Sequence, residues 1–522
     1  MEKLISYNPA TGDALAELDL TSIEELPAIF QRARHAQERW AIVSSRQRAK
    51  HLVQLRETLL RHADELSLLI SRENGKPRFE AMASELLPSL ELLSYFAKHS
   101  PDLLNDRAIP LRLMRHRKSF LNYWPLGVVA VISPWNYPFM LPFGEIVMAL
   151  VAGNAVVFKP SEVTPLIGLK IQQLCEEAGI PPHLVQTVIG DGALGAALIE
   201  QKPAKIFFTG SVPTGRKIMA AAAPHLIPVS LELGGNDAMI VLPDADLDYA
   251  SSAALWGGFA NSGQVCASVE RILVHESIAE EFKVKLKEKM LRLRQSPEAA
   301  ADATHARDLG VTTLDRQKLV YDRHLDQARA QGAEFGSGGE FGADRRHLLP
   351  TMISGSGIEG LDVYNEETFG PVVAITTFRS VAEAIEKTNR SEYGLSASVI
   401  TRNSELGEHV ARQLEVGTVT INEVTYTAGL PETPWGGVKQ SGVGRKHAEM
   451  GFYEFVNVRH IHKPVAQFFV FKSLWWFPYT PYQYSTVRQM MELYRRSWVD
   501  KARALPHFLW NLVQFLKKEK RL

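Results

Sequence analysis

The strongest constraint on the fold is an alternation. From Phe120 onward, short apolar segments of β-rich texture alternate with stretches of helical spacing. The series runs Gly127–Ile132, Glu145–Leu150, Ala155–Lys159, Leu166–Ala178, Val185–Ile189, Ala193–Glu200 and Lys205–Thr209. A strand that returns parallel to its neighbour needs a crossover, usually a helix, so this order predicts βαβ units and a parallel sheet. A second alternation runs from Ala238 to about Asn422, and the glycine-rich stretch Gly332–Gly342 reads as an exposed loop between helix and strand. Upstream, Ser22 with Glu25 fits a capping box. Arg46 to about Glu73 carries leucines at helical spacing and stops at Asn74-Gly75-Lys76-Pro77, with another helix expected from about Phe79 to Lys98.

Sheets covered by helices need a large apolar core. The 45% hydrophobic and 22% charged residues supply one and exclude a disordered chain. With 58 Lys and Arg against 58 Asp and Glu, the formal charge is zero, which excludes a general nucleic-acid binder. The zero hides a division. Residues 464–522 hold ten Lys and Arg against three Asp and Glu, and 14 of the 46 aromatic residues. Two cysteines, Cys175 and Cys266, make no disulfide framework, so a reducing, cytoplasmic setting is expected. The N-terminus has no basic region followed by an apolar run, so no signal peptide is read, and no run of 18 apolar residues predicts a membrane span.

Several windows carry residues suited to chemistry. Cys266, in Asn261-Ser-Gly-Gln-Val-Cys, sits among small residues that suit an exposed thiol, although a buried structural cysteine fits the window equally. Glu232 ends an apolar strand before paired glycines, where partial burial raises a carboxyl toward the range of a general base; a solvated or ion-paired acid is the plainer alternative. Asn136, in Ser133-Pro-Trp-Asn-Tyr-Pro, lies in a proline-fixed turn where its amide either donates to an oxyanion or satisfies the turn itself. Lys159 and Glu162 follow a predicted strand, where a sheet of this kind gathers its ligands; an exposed ion pair is the alternative. Two glycine patterns compete for a dinucleotide. Gly190-Asp-Gly-Ala-Leu-Gly is a literal match to the usual fingerprint but lacks the acid that should follow. Phe208-Thr-Gly-Ser also joins a strand to a helix, and its Gly210 and Ser211 bring backbone amides toward a diphosphate.

Taken in order, these windows resemble the aldehyde dehydrogenase superfamily. The motifs are Ser133-Pro-Trp-Asn, Phe158-Lys-Pro-Ser-Glu, Phe208-Thr-Gly-Ser, Leu231-Glu-Leu-Gly-Gly, Gly263-Gln-Val-Cys, Glu366-Glu-Thr-Phe-Gly-Pro-Val and Pro434-Trp-Gly-Gly-Val-Lys-Gln-Ser-Gly-Val-Gly-Arg. The resemblance covers roughly Tyr7–His462, with Glu232 and Cys266 spaced as the family has them. It implies an α/β fold with a Rossmann-like cofactor domain, an α/β catalytic domain and a small β bridging element. It implies oxidation of an aldehyde to its acid with NAD+, NADP+ being the alternative, through a thiohemiacetal and thioester on Cys266. Asn136 would hold the oxyanion and Glu232 would activate water. For the cofactor the resemblance implies Lys159 and Glu162 at the adenosine ribose, Gly210 and Ser211 at the diphosphate, and Glu367 with Phe369 at the nicotinamide ribose. Trp135, Ser161, Gly192, Gly195, Phe208, Thr209 and Leu233 would line the rest. Glu162 would repel a 2′-phosphate, so NAD+ is the expected choice. No metal and no nucleic acid is implied.

The resemblance also divides the chain. Residues 1–105 and 126–234 would bind the cofactor, 235–440 would carry catalysis, and 106–125 with 451–463 would bridge subunits of a homodimer or homotetramer. Three positions depart from the family pattern, Asn236, Trp435 and Lys446-His-Ala, and none is expected to touch the nucleophile, the base or the oxyanion donor. The tail, 464–522, lies outside the resemblance. Its aromatic run Phe468–Tyr482 and two predicted helices, Thr486–Ala504 and Leu505–Leu516, suit either packing on protein or peripheral contact with anionic lipid, which would bring in a lipophilic aldehyde. The rival functions are transfer of the acyl group to coenzyme A, a cysteine hydrolase, and a silent binding protein on the same fold. Glu232, the cofactor motifs and the complete set Asn136, Glu232 and Cys266 weigh against them in turn.

Overall fold

The computed structural model describes residues 3–295, 307–343, 345–466, 473–494 and 497–519. Contacts divide the chain into a large unit, Met1–Asn105 with Tyr123–Val458, and a small one, Asp106–Asn122 with Arg459–Leu522.

The large unit is built on two sheets. In the first, strands β1 (Val128–Ile132), β2 (Ala155–Lys159), β3 (Val185–Thr187), β4 (Lys205–Thr209) and β5 (Val229–Glu232) run parallel in the order β5-β4-β1-β2-β3. Every residue of β1, β2 and β4 is buried. Such unbroken apolar strands have both faces covered, and helices α1 (Met140–Ala152), α2 (Pro165–Glu177), α3 (Gly192–Glu200) and α4 (Val212–Ala222) make the crossovers between them. The chain moves outward from β1 to β3, then returns to the other side of β1 for β4 and β5. This reversal opens a crevice beyond the carboxyl ends of the strands. Asn136, Lys159, Gly210 and Glu232 all lie at or just beyond those ends.

The second sheet holds β6 (Asp237–Val241), β7 (Val269–His275), β8 (Glu334–Ser337), β9 (Thr351–Ser354), β10 (Val372–Phe378), β11 (Ser396–Ile400) and β12 (Thr418–Ile421), ordered β8-β9-β10-β7-β6-β11-β12. All pairs are parallel except β8 with β9. The chain then returns to the first sheet. Short β13 (Gly442–Val443) pairs antiparallel with β5, placing Gly442 opposite Glu232.

Local expectations are corrected in four places. Gly332–Gly342 contains β8, because Glu334 and Phe335 find an antiparallel partner in β9 that composition does not reveal. Ser22 caps through the backbone N–H of Glu24, not through a box with Glu25. The helix expected over 46–73 breaks at His62 into Ser45–Arg61 and Ala63–Asn74, and the next helical run extends from Arg78 to Leu103 with a π turn at Met82–Leu86. In the tail, the helices are α5 (Pro481–Glu492) and α6 (Trp498–Glu519). Pro481 starts α5, where its missing N–H costs nothing, beside a Thr480–Gln483 capping box. α6 runs through Pro506, since both Pro506 and Ala502 are exposed and water can donate to the freed Ala502 carbonyl oxygen. The run Phe468–Phe471 lies outside the described residues.

The small unit also contains parts of a three-stranded sheet in which Arg107–Ile109 pairs antiparallel with Arg117–Pro125 and Val456–Pro464 lies on the other side. Among the described residues, no helix is long and apolar enough to cross a membrane.

Candidate active site

Cys266 follows a turn, Ala260–Gly263, that only particular residues can make. Asn261, Ser262 and Gly263 have φ of 50°, 56° and 72°. A Cβ on Gly263 would sit 2.0 Å from the Gly370 carbonyl oxygen, so glycine is required by both conformation and space. Gln264 staples the turn: its Oε1 accepts from Thr313 N at 2.9 Å, and its Nε2 donates to the carbonyls of Asn261 and Val311 at 3.0 and 3.2 Å. Asn136 is held beside it. One amide N–H donates to Gln264 O at 3.0 Å, which leaves the second for a ligand. The Asn136 carbonyl accepts from Asn261 Nδ2 at 3.0 Å and from Lys76 Nζ at 2.8 Å. Lys76 is wholly buried with Glu85 at 2.7 Å, and the other Glu85 oxygen accepts from Phe139 N and Met140 N. The sequence marks Lys76 only as part of a helix stop. Its role arises from burial, which no local pattern announces.

Burial also sets the electrostatics. The Cys266 thiol is pushed up to about 12 by burial first, then by Glu232, Glu367 and Asp237. Burial lifts Glu232 to about 7, opposed by the charge of Lys446 and reinforced by Glu145. One Glu232 carboxylate oxygen is buried without a hydrogen-bond partner. Lys446 and Glu145 form a buried ion pair, and Lys446 Nζ donates to Thr209 Oγ1 at 2.6 Å. Thr209 is the register partner of Glu232 across β4 and β5. Trp435 exchanges both backbone hydrogen bonds with Lys446, at 2.8 and 2.7 Å, and its side chain bonds Glu232. The expectation that the departures at 435 and 446 leave the base untouched is therefore wrong. β13 carries the segment around 434–447 back against β5, a contact invisible in the chain order. Asn236 instead is buried and donates to Tyr364 O at 2.9 Å.

The residues singled out from sequence for catalysis and cofactor contact, from Trp135 to Phe369, all line one cavity of about 840 Å³. α4 begins there with no side-chain cap, since Ser211 Oγ turns to Thr214 Oγ1 at 3.0 Å, so its first N–H groups remain available to an anion. The competing helix α3 is already capped: Asp191 accepts from Ala193 N and Leu194 N. A carboxylate in that place disfavours a diphosphate. Lys159 is buried, which lowers its pKa, and its ammonium lies 3.8 Å from a half-exposed Glu162. Glu367 accepts from Gly235 N at 3.0 Å, and burial pushes it up to about 8. Its loop is strapped by Glu270, whose two oxygens accept from Thr368 N and Phe369 N at 2.7 and 2.8 Å. Phe369, at φ 52°, meets Trp135 edge to face with ring centres 5.5 Å apart. Glu270 carries no sequence signal, because it is a single acid at the start of an apolar strand, outside every motif.

Cys266 also borders a second cavity, of about 280 Å³, walled by Phe79, Tyr137, Met140, Leu141, Trp256, Tyr426 and Trp435. His447 lies in its wall, pushed down to about 4 by burial and by the neighbouring Lys446 charge, so it is neutral at pH 7.

A nucleotide-sized cleft at a sheet reversal, ending on a cysteine and a buried acid, defines a cofactor-dependent enzyme that works through a thiol. The aldehyde dehydrogenase family profile matches residues 2–461, and the chain belongs to that family. It is 40% identical over 462 residues to a 4,4'-diapolycopene aldehyde oxidase of Methylomonas sp, covering 87% of this chain and 84% of that protein. It is 34% identical over 455 residues to a betaine aldehyde dehydrogenase of Cereibacter sphaeroides, covering 87% and 92%. A crystal structure of betaine aldehyde dehydrogenase from Staphylococcus aureus in complex with NAD+ matches with a TM-score of 0.84 at 29% identity, covering 92% of this chain and 94% of that one.

Proposed function

We propose that this chain oxidises a lipophilic aldehyde to the carboxylic acid, with NAD+ as the hydride acceptor. The enzyme is an NAD(P)-dependent aldehyde dehydrogenase. The observation that carries the finer reading is the position of Cys266, between a polar cleft and an apolar cavity. The cleft suits the nucleotide through the open α4 N-terminus, the Lys159–Glu162 pair and Glu367. Glu162 accepts the ribose hydroxyls and disfavours a 2′-phosphate. A bound oxidised nicotinamide supplies a hydride acceptor and a positive charge that favours the thiolate over a thiol at about 12.

The chain supplies the rest. Cys266 Sγ adds to the carbonyl carbon, and the oxyanion is held by the second Asn136 N–H and the Cys266 backbone N–H. Loss of hydride from that carbon leaves a thioester. Glu232, near neutrality in its pKa, takes a proton from water as the water oxygen bonds the thioester carbon; the C–S bond then breaks, releasing the acid and the Cys266 thiolate. The apolar walls beyond Cys266 hold an aliphatic or conjugated chain better than a charged one.

The test is NADH absorbance across a series of aldehydes from acetaldehyde to hexadecanal, with Cys266→Ala as control. Efficiency is expected to rise with chain length, with NAD+ preferred and Glu162→Gln narrowing the gap to NADP+. Turnover surviving in Cys266→Ala would overturn the covalent route, and acyl-CoA formed on adding coenzyme A would overturn hydrolysis.

The same reading takes the first sheet and its helices as the cofactor domain, the second sheet as the catalytic domain, and 106–125 with 451–463 as the element that joins subunits of a homo-oligomer. Two cysteines without a disulfide support a cytoplasmic setting. The basic, aromatic composition of 464–522 supports peripheral contact with a membrane.

A further inference from the structure

α5 and α6 pack as a hairpin, with Asn511 Nδ2 bonded to Ser485 Oγ at 2.8 Å. Ala504 and Phe515 are buried on one side of α6. The outer side is not polar, as a helix facing water would be. Leu505, Leu509 and Val513 recur every four residues and are 46%, 50% and 44% exposed, with Trp510 at 63% and Trp498 at 82%. Four-residue spacing puts Leu505, Leu509 and Val513 in one row along the helix. The eight-residue rise from Leu505 to Val513 makes that row roughly 12 Å long. Around the same hairpin runs a groove of about 590 Å³ lined by Tyr484, Ser485, Arg488, Arg503 and His507, with Glu492 as its one acid. Neither Arg488 nor Arg503 has a carboxylate partner among the described residues.

We propose that this hairpin is a docking surface for an anionic phospholipid bilayer, in which the Leu505–Leu509–Val513 row enters the headgroup boundary and Arg488 and Arg503 take lipid phosphates in the groove. The proposal rests on the peripheral-contact reading and names its surface and its lipid. Charge selects the occupant. The tail carries ten Lys and Arg against three Asp and Glu, so a second copy seated on the same face would bring two basic surfaces together. An anionic bilayer offers the opposite charge and an apolar layer beneath it, and it also dissolves lipophilic aldehydes. Trp498 and Trp510 suit the boundary, each having an apolar ring and a polar N–H.

The full-length enzyme is sedimented with vesicles of phosphatidylcholine alone and with phosphatidylglycerol added. Binding is expected to the anionic vesicles only, weakening with salt, with a blue shift of tryptophan emission. Leu505→Glu with Leu509→Glu should abolish it, and Arg488→Gln with Arg503→Gln should weaken it roughly thirtyfold. All variants should form NADH from a short soluble aldehyde at the rate of the unaltered enzyme, since none lines the catalytic cavities. Equal binding to both vesicles, or unchanged binding by the double Arg variant, overturns the phosphate assignment while peripheral contact stands. No binding to either vesicle overturns both. A smaller oligomer for the Leu505→Glu, Leu509→Glu variant in gel filtration, without lipid, would instead identify a second copy as the occupant and overturn the proposal.

Discussion

Burial lifts Glu232 to about 7, so at neutral pH its carboxyl is divided between two protonation states. Water activation requires the carboxylate, so thioester hydrolysis should accelerate as pH rises through about 7. Two neighbours act on this limb with opposite sign. Lys446 favours the charged base, and Glu145 disfavours it. Lys446→Met should therefore move the limb to higher pH, and Glu145→Gln should move it to lower pH. A displacement of one unit changes the rate at a fixed pH below the limb about tenfold. Removing one member of a buried pair also costs about 3–5 kcal/mol, so the Glu145→Gln, Lys446→Met double variant should recover part of the lost stability. Pre-steady-state hydrolysis measured across pH checks this, and shifts of the same sign in both variants would refute it. At this scale the sequence singled out Cys266, Glu232 and Asn136 as candidates, because each sits inside a contiguous motif. Lys446, Glu145, Glu270 and Lys76 were not legible as working residues. Each acts through a partner far away in the chain, and burial creates the interaction.

The loops that carry the site depend on single close approaches between elements. Gly263 leaves no room for a methyl group against Gly370 O and holds a left-handed φ, so Gly263→Ala should cost about 1–3 kcal/mol and most of the activity, read by denaturant unfolding and NADH formation. Glu270 ties the Glu367–Phe369 loop with two backbone hydrogen bonds. Glu270→Gln keeps the shape but replaces one acceptor oxygen with a donor, leaving a buried N–H unpaired at about 1–3 kcal/mol. Its expected signature is a KM for NAD+ raised about tenfold or more, with kcat changed less. A loss confined to kcat would show that the strap does not position Glu367. The strands that bear these loops could be read from their apolar runs. β8 could not, because the glycine-rich stretch around it looks like a loop until β9 pairs with it. Nor could the continuity of α6 through Pro506, which depends on which side of the helix meets solvent.

Over the molecule as a whole, the cofactor cleft is assembled from the ends of the first sheet, the Glu367 loop and the start of the helix at Asp315–Ala330, so a nucleotide there ties separate parts of the large unit together. NAD+ at a hundredfold excess over its Kd should stabilise the fold by about 2.7 kcal/mol, seen as a higher Tm in a thermal scan. No change in Tm at saturating NAD+ would contradict the assigned cleft. The sequence by itself determined the α/β class, the family, which residues are candidates for nucleophile and base, and the basic, aromatic nature of the tail, because these reside in local pattern and in contiguous motifs. Tertiary structure alone decided which charges set the strength of Glu232, which helix N-terminus stays open to a phosphate, and which side of α6 is left bare. The first depends on burial among segments hundreds of residues apart, while the other two depend on how near neighbours turn and pack once the chain has folded.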